Sequence, residues 1–98
     1  MIATFITLRY GESFSATKVR HLAQASRTMF EGMPGLHSKL YSILPEVQQA
    51  RNVYVWEHRE LAEKFLTPEN CERIAELYGV QPSIEWAEVC ALIENSSV

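Results

Sequence analysis

An extended chain over residues 2 to 10 puts Ile2, Thr4, Ile6, Leu8 and Tyr10 on one side and Ala3, Phe5, Thr7 and Arg9 on the other. Both sides of this predicted strand carry large apolar groups, and each needs cover. The end of the chain repeats the feature. In a strand predicted from about Ser83 to Glu94, Ile84, Trp86, Glu88, Cys90 and Leu92 oppose Glu85, Ala87, Val89, Ala91 and Ile93. A chain of 98 residues has material for one domain, residues 1–98, and one modest core. An antiparallel sheet with a solvated face shows polar residues on one parity, and these strands do not. Leaving several large side chains in water forfeits roughly 1.5–3 kcal/mol each, so the second face is expected to be buried against another copy of the chain.

The elements between these strands set the topology. Gly11 ends the first strand, and Ser13 or Ser15 can cap a helix running to about Glu31, with Val19, Leu22, Ala23, Met29 and Phe30 at helical spacing. Gly32 and the turn Pro34-Gly35 stop it. A second strand spans Leu36 to Leu44, and Pro45 with the polar run to Arg51 forms a loose connection to a third strand, Asn52 to His58. Glu60 to Leu66 is a short helix interrupted by Pro68. Thr67 caps a second segment in which Cys71, Ile74, Ala75 and Tyr78 form one stripe, and Gly79 closes it. Two crossovers and one hairpin in this order predict an α+β fold: a βαββαβ chain with a four-stranded antiparallel sheet and its helices on one face.

Charge and motifs exclude several functions. Nine Lys and Arg face twelve acids, all of them Glu, for a net charge of −3, so the concentrated basic surface that nucleic acid requires is missing. The opening residues are too polar for a secretory leader, and the apolar stretch from Val89 to Ile93 is too short to span a bilayer. A cytoplasmic protein without a membrane partner is expected. Cys71 and Cys90 lack metal-ligand spacing and are expected to be reduced and mostly buried. No metal site and no glycine-rich phosphate loop is indicated.

The segment Asn-Val-Tyr-Val-Trp-Glu-His, from Asn52 to His58, carries the chemistry. Asn52, Tyr54, Trp56 and His58 share a parity, and an amide, a phenol, an indole N–H and an imidazole in a row suit a planar, oxygen-bearing aromatic ligand. His37 and Tyr41 share a parity on the second strand, which places both either at the same cavity or on the opposite face, since the register is not set by the sequence. His37, Tyr41 and His58 are candidate proton acceptors, the histidines because imidazole titrates nearest neutrality. His21 is expected to face solvent.

With the turn Met33-Pro34-Gly35-Leu36 and the Asn52–Trp56 pair at a strand end before an acidic helix start, the chain resembles the dimeric α/β-barrel superfamily, a ferredoxin-like fold. Within it, the likeness is to the small mono-oxygenases of the YdhR-like and antibiotic-biosynthesis types, over nearly the whole chain. The resemblance implies a homodimer joined through the sheet face. It also implies a mono-oxygenase needing no flavin, haem or metal, whose phenolic or polycyclic aromatic substrate reduces dioxygen itself once deprotonated. Asn52 and Trp56 match the family's oxyanion-binding pair, His37 is the candidate base, and Tyr41, Tyr54 and His58 are candidate substrate contacts. The alternative within the same fold is a non-catalytic dimer that binds a small ligand or serves in a stress response. The quinone-forming relatives carry a tyrosine and an arginine on the helical segment after the tryptophan, where this chain has Ala62 and Glu76, with Arg73 and Tyr78 nearby but out of register. Haem-degrading relatives place a histidine there. The stretch from Glu60 to Tyr78 has none, so haem is not expected.

Overall fold

The computed structural model describes residues 1–95. Strand β1 (Ile2–Arg9) leads through a single 3-10 turn to α1 (Ala16–Phe30), followed by β2 (Leu36–Leu44), β3 (Gln49–Trp56), α2 (Arg59–Phe65), α3 (Pro68–Tyr78) and β4 (Pro82–Glu88). The strands form one antiparallel sheet in the order β2-β3-β1-β4, the ferredoxin-like α+β arrangement expected from the sequence. The caps fall where the side chains predict them. Ser15 accepts from the Lys18 amide at 3.3 Å, Thr67 accepts from the Asn70 amide at 3.2 Å, Pro68 opens α3, and Gly79 closes it in the left-handed conformation.

The helices cover the face formed by Ile6, Leu8, Ala50, Tyr54 and Trp56. These pack with Val19 of α1 and Ala62 of α2 as the core, joined at its margins by Ile2, Ile43, Ile84 and Trp86. The other face of the central strands carries Ala3, Phe5, Val53 and Val55, and beside them on β2 stands Leu40, 59% exposed. Register places Leu40, Val53 and Phe5 in one row across β2, β3 and β1. The next row, Ser42, Arg51 and Thr7, is polar. The open face is thus half apolar.

Two strands differ from their sequence-predicted bounds. β3 begins at Gln49 rather than Asn52, because a 3-10 turn over Pro45–Val47 and Gln48 at φ 56° reverse the chain tightly enough for Gln49, Ala50 and Arg51 to join the ladder. It ends at Trp56. His58, expected on the strand, is instead the N-cap of α2. β4 ends at Glu88 rather than Glu94. Its neighbour β1 starts at Ile2, paired with Glu88, and the Val89 amide donates to the Met1 carbonyl at 3.2 Å; among the described residues no strand pairs with residues 89–94. The apparent two-sidedness of the last strand therefore disappears, since the open side of β4 holds Ser83, Glu85 and Ala87. The thiols also depart from expectation: Cys71 is only partly buried and Cys90 is exposed. His21 is exposed, as expected.

Candidate functional site

Pairing of β2 with β3 sets Tyr41 opposite Asn52 and Lys39 opposite Tyr54, so these four side chains form one patch on the helix-covered face. α1 and α3 stand over this patch. Between them lies a cavity of about 250 Å³, walled by Phe30, Tyr54, Phe65 and Ile74 with Ser26, Lys39, Asn70, Arg73 and Tyr78 at its polar points. A second cavity of about 430 Å³ opens beside it, bounded by Val19, Ala23, Tyr41, Asn52 and Tyr78. Tyr78 lines both.

An aromatic cluster fixes the floor. Tyr54 and Trp56, two residues apart on β3, stack with ring centroids 5.8 Å apart and planes within 5°. Phe65 leans on both at 5.6 and 5.5 Å, and Phe30 meets Tyr54 edge-on at 5.8 Å. Into this cluster projects Lys39, whose Nζ lies 3.4 Å from the Phe30 ring centroid, 4.2 Å from that of Tyr41 and 4.4 Å from that of Tyr54. Burial pulls the amine down to about 7 from its ordinary 10.5.

The phenols respond in the opposite sense. Burial, with the neighbouring Tyr78 and Tyr41, pushes the Tyr54 hydroxyl far above its ordinary value, so it stays a neutral donor. Burial also raises Tyr78, and the Asn52 amide and Ser26 hydroxyl beside it offset part of that rise. Tyr41 is held by a 2.7 Å hydrogen bond with the Ser26 hydroxyl, and burial raises it as well. The patch therefore presents neutral phenols, an amide and an amine within a mostly apolar enclosure. That combination can grip a hydroxylated ring, donate to its oxygens and take up a proton.

The sequence-predicted residues separate into two groups. Asn52, Tyr41 and Tyr54 come together at the two cavities. Asn52 is 3% exposed, on the central part of the sheet. Trp56, His37 and His58 lie elsewhere. Trp56 is 2% exposed, donates its indole N–H to the Thr4 hydroxyl at 3.2 Å and lies four residues beyond Asn52 on the strand, about 13 Å along it, so the two do not converge on one oxygen. His37 sits at the bulge between Leu36 and Ser38, which takes it out of the alternation it was expected to share with Tyr41. It is exposed, and its Nε2 lies 3.0 Å from the Glu94 carboxylate. It lines an outer cleft with Arg27, Glu31 and Lys39, away from Asn52. His58, at the start of α2, is exposed and lines neither chamber.

Lys39 and Ser26 line the aromatic cavity without having been singled out in the sequence, and Arg73 and Tyr78, noted there only as out of register, line it too. Lys39 alternates in β2 with the odd parity of Tyr41, which was a legible signal for a cation on an otherwise aromatic face. Arg73 and Tyr78 do not match the family positions by count along the chain, yet α3 brings both to the cavity wall. Among the described residues, no three His, Cys, Asp or Glu side chains gather where a metal ion can sit, and no helix is long and apolar enough to cross a membrane.

No protein-family model matches the chain, and no curated protein matches it by sequence. Solved structures do match it closely in shape. One is the ActVA-Orf6 monooxygenase of Streptomyces coelicolor in complex with nanaomycin D, at TM-score 0.69 and 14% identity over 97% of this chain and 92% of that one. Another is SnoaB, a cofactor-independent oxygenase from Streptomyces nogalater, at TM-score 0.63 and 10% identity over 96% and 98% of the two chains. A third is the protein of unknown function NE2512 from Nitrosomonas europaea, at TM-score 0.67 and 12% identity over 98% and 95%. The similarity spans nearly the full length of each, and at these identities it is a similarity of backbone. The chain has the ferredoxin-like α+β fold that these structures share.

Proposed function

We propose that this protein is a cofactor-independent mono-oxygenase acting on a phenolic or polycyclic aromatic small molecule held between α1, α3 and the sheet. The observation that carries the reading is the composition of that space: aromatic walls from Phe30, Tyr54 and Phe65 beside the hydrogen-bonding groups of Asn52, Tyr41 and Tyr78. The shared fold with an oxygenase that needs no cofactor agrees with it. In the proposed reaction the protein removes a proton from the ring system, and the resulting anion adds through its ring carbon to dioxygen to form a peroxide. Loss of the second proton from that carbon with cleavage of the O–O bond leaves a carbonyl and releases the other oxygen as water, four electrons passing from substrate to dioxygen. An anthrone methylene thereby becomes a quinone carbonyl. The protein's part is to hold the ring flat, donate from Asn52 and Tyr78 to the developing oxyanion and keep bulk water out.

The working form in this reading is a homodimer that buries the row Leu40, Val53 and Phe5. The second reading, a ligand-binding dimer without turnover, is favoured by the commitment of the Trp56 indole N–H to Thr4, which removes one expected oxyanion donor. An oxygen electrode separates the two. With dithranol, a dihydroxyanthrone, the purified protein without added flavin or metal is expected to consume dioxygen above the spontaneous rate, and Asn52→Ala to slow it roughly tenfold to a hundredfold. Binding of dithranol with no acceleration would leave only the second reading.

A further inference from the structure

We propose that the amine of Lys39 is the group that takes the proton from a ring hydroxyl of the bound aromatic. The inference rests on the reading of the site as a chamber for a phenolic ring, and it names the proton acceptor that neither histidine supplies from its position. Lys39 is placed for this by its neighbours. Its Nζ is surrounded by the rings of Phe30, Tyr41 and Tyr54, on the wall shared by the aromatic cavity and the outer cleft. It forms no ion pair with any carboxylate among the described residues. A lysine on a protein surface is a cation that cannot accept anything. This one is withdrawn from water on the side that meets the rings, and that burial favours the free amine.

The charged and titratable groups around it leave that role open. From α1 come Arg27 and Glu31, which pair with each other at 3.5 Å. From α3 come Arg73 and the Tyr78 phenol, from β3 the Tyr54 phenol, and from β2 itself Tyr41 and His37, the last engaged by Glu94. The phenols are neutral and the Glu31 carboxylate is already paired with Arg27, so no carboxylate holds a proton on Lys39. When the ligand arrives, its O–H bond breaks, the proton joins the Lys39 nitrogen, and the electron pair stays on the phenolate oxygen. The three rings face Lys39 before and after binding; what the ligand adds is a phenolate beside the nitrogen, and that charge pairing favours the ammonium. The resting state thus favours the amine and the bound state favours the ammonium, which is what a proton acceptor needs.

Danthron, the dihydroxyanthraquinone related to dithranol, tests this apart from turnover, because its ring carbon is already oxidised and its absorbance moves to the red on ionising. At about pH 7.5, wild-type protein is expected to raise the phenolate-to-phenol ratio of bound danthron about tenfold over the free dye. Calorimetry in buffers of different ionisation enthalpy is expected to show little net proton release, because the proton stays on Lys39. Lys39→Met is expected to bind danthron, seen as quenching of protein fluorescence, without reddening it. Lys39→Arg, already charged, is expected to redden it while releasing about one proton to the buffer. Reddening that survives in Lys39→Met, or a full proton released by the wild type, would overturn the role of Lys39 and leave the aromatic chamber standing. Failure of danthron to bind the wild type at all would overturn the chamber and the inference together.

Discussion

Asn52 and Trp56 show how one strand face supports two different jobs. Asn52 stands at a cavity beside the Tyr78 hydroxyl, whereas the Trp56 indole is sealed in the core with its N–H on Thr4. Trp56→Phe removes one buried hydrogen bond and part of a large ring, and is expected to lower the urea-derived stability by about 1–3 kcal/mol. Its affinity for danthron is expected to change less than threefold. Asn52→Ala is expected to reverse that pattern, with a small stability change and a loss of affinity read by the same fluorescence titration. Lys39 adds a pH signature. Its folded pKa lies below the unfolded value, so between about 7 and 10.5 the unfolded chain holds more protons and stability rises with pH. Tyr54 and Tyr78 are raised in the fold, so above 10.0 the unfolded chain holds fewer protons and stability falls again. Urea midpoints are expected to climb by the equivalent of about 1–2 kcal/mol up to pH 10 and then decline, well under the full value of the Lys39 shift because one side of the amine meets water. Lys39→Met is expected to flatten the climb.

At the scale of elements, the turn that ends α1 and starts β2 ties the sheet to α2. Gly35 has φ 81°, a Cβ added there would run into the Leu61 side chain, and its carbonyl accepts from the Glu57 amide at 2.9 Å. Gly35→Ala combines left-handed strain with that clash and is expected to cost about 2–3 kcal/mol in urea unfolding, since strain alone costs about 1–2 kcal/mol. Helix ends were legible at the residue level because caps are local chemistry: Ser15, Thr67, Pro68 and Gly79 each act within one turn. Strand ends were not. β4 stops where β1 runs out, and β3 gains Gln49 to Arg51 because Gln48 turns left-handed, so both bounds are set by a partner or a turn outside the strand's own pattern. The same limit governed the site. Asn52 and Tyr54 share a face by parity alone, but the register that sets Tyr41 opposite Asn52, the bulge that displaces His37 and the approach of α3 that delivers Arg73 and Tyr78 depend on how separate elements meet.

Across the whole molecule, the sheet divides two tasks. One face, under the helices, holds the core and the cavities. The other exposes the row of Leu40, Val53 and Phe5 next to the polar row of Ser42, Arg51 and Thr7. Pairing this face with a second copy hides the apolar row, so light scattering at micromolar concentration is expected to give about twice the 11.2 kDa chain mass, and Leu40→Glu with Val53→Lys to give the monomer. The reading of the helix-covered face meets its most direct test in a two-dimensional amide NMR titration of the wild-type protein with danthron. Shifts are expected to concentrate at Phe30, Lys39, Asn52, Tyr54, Arg73 and Tyr78. A dye that leaves those amides unmoved, or that perturbs only Leu40, Val53 and their neighbours on the open face, would contradict the assignment of the ligand chamber.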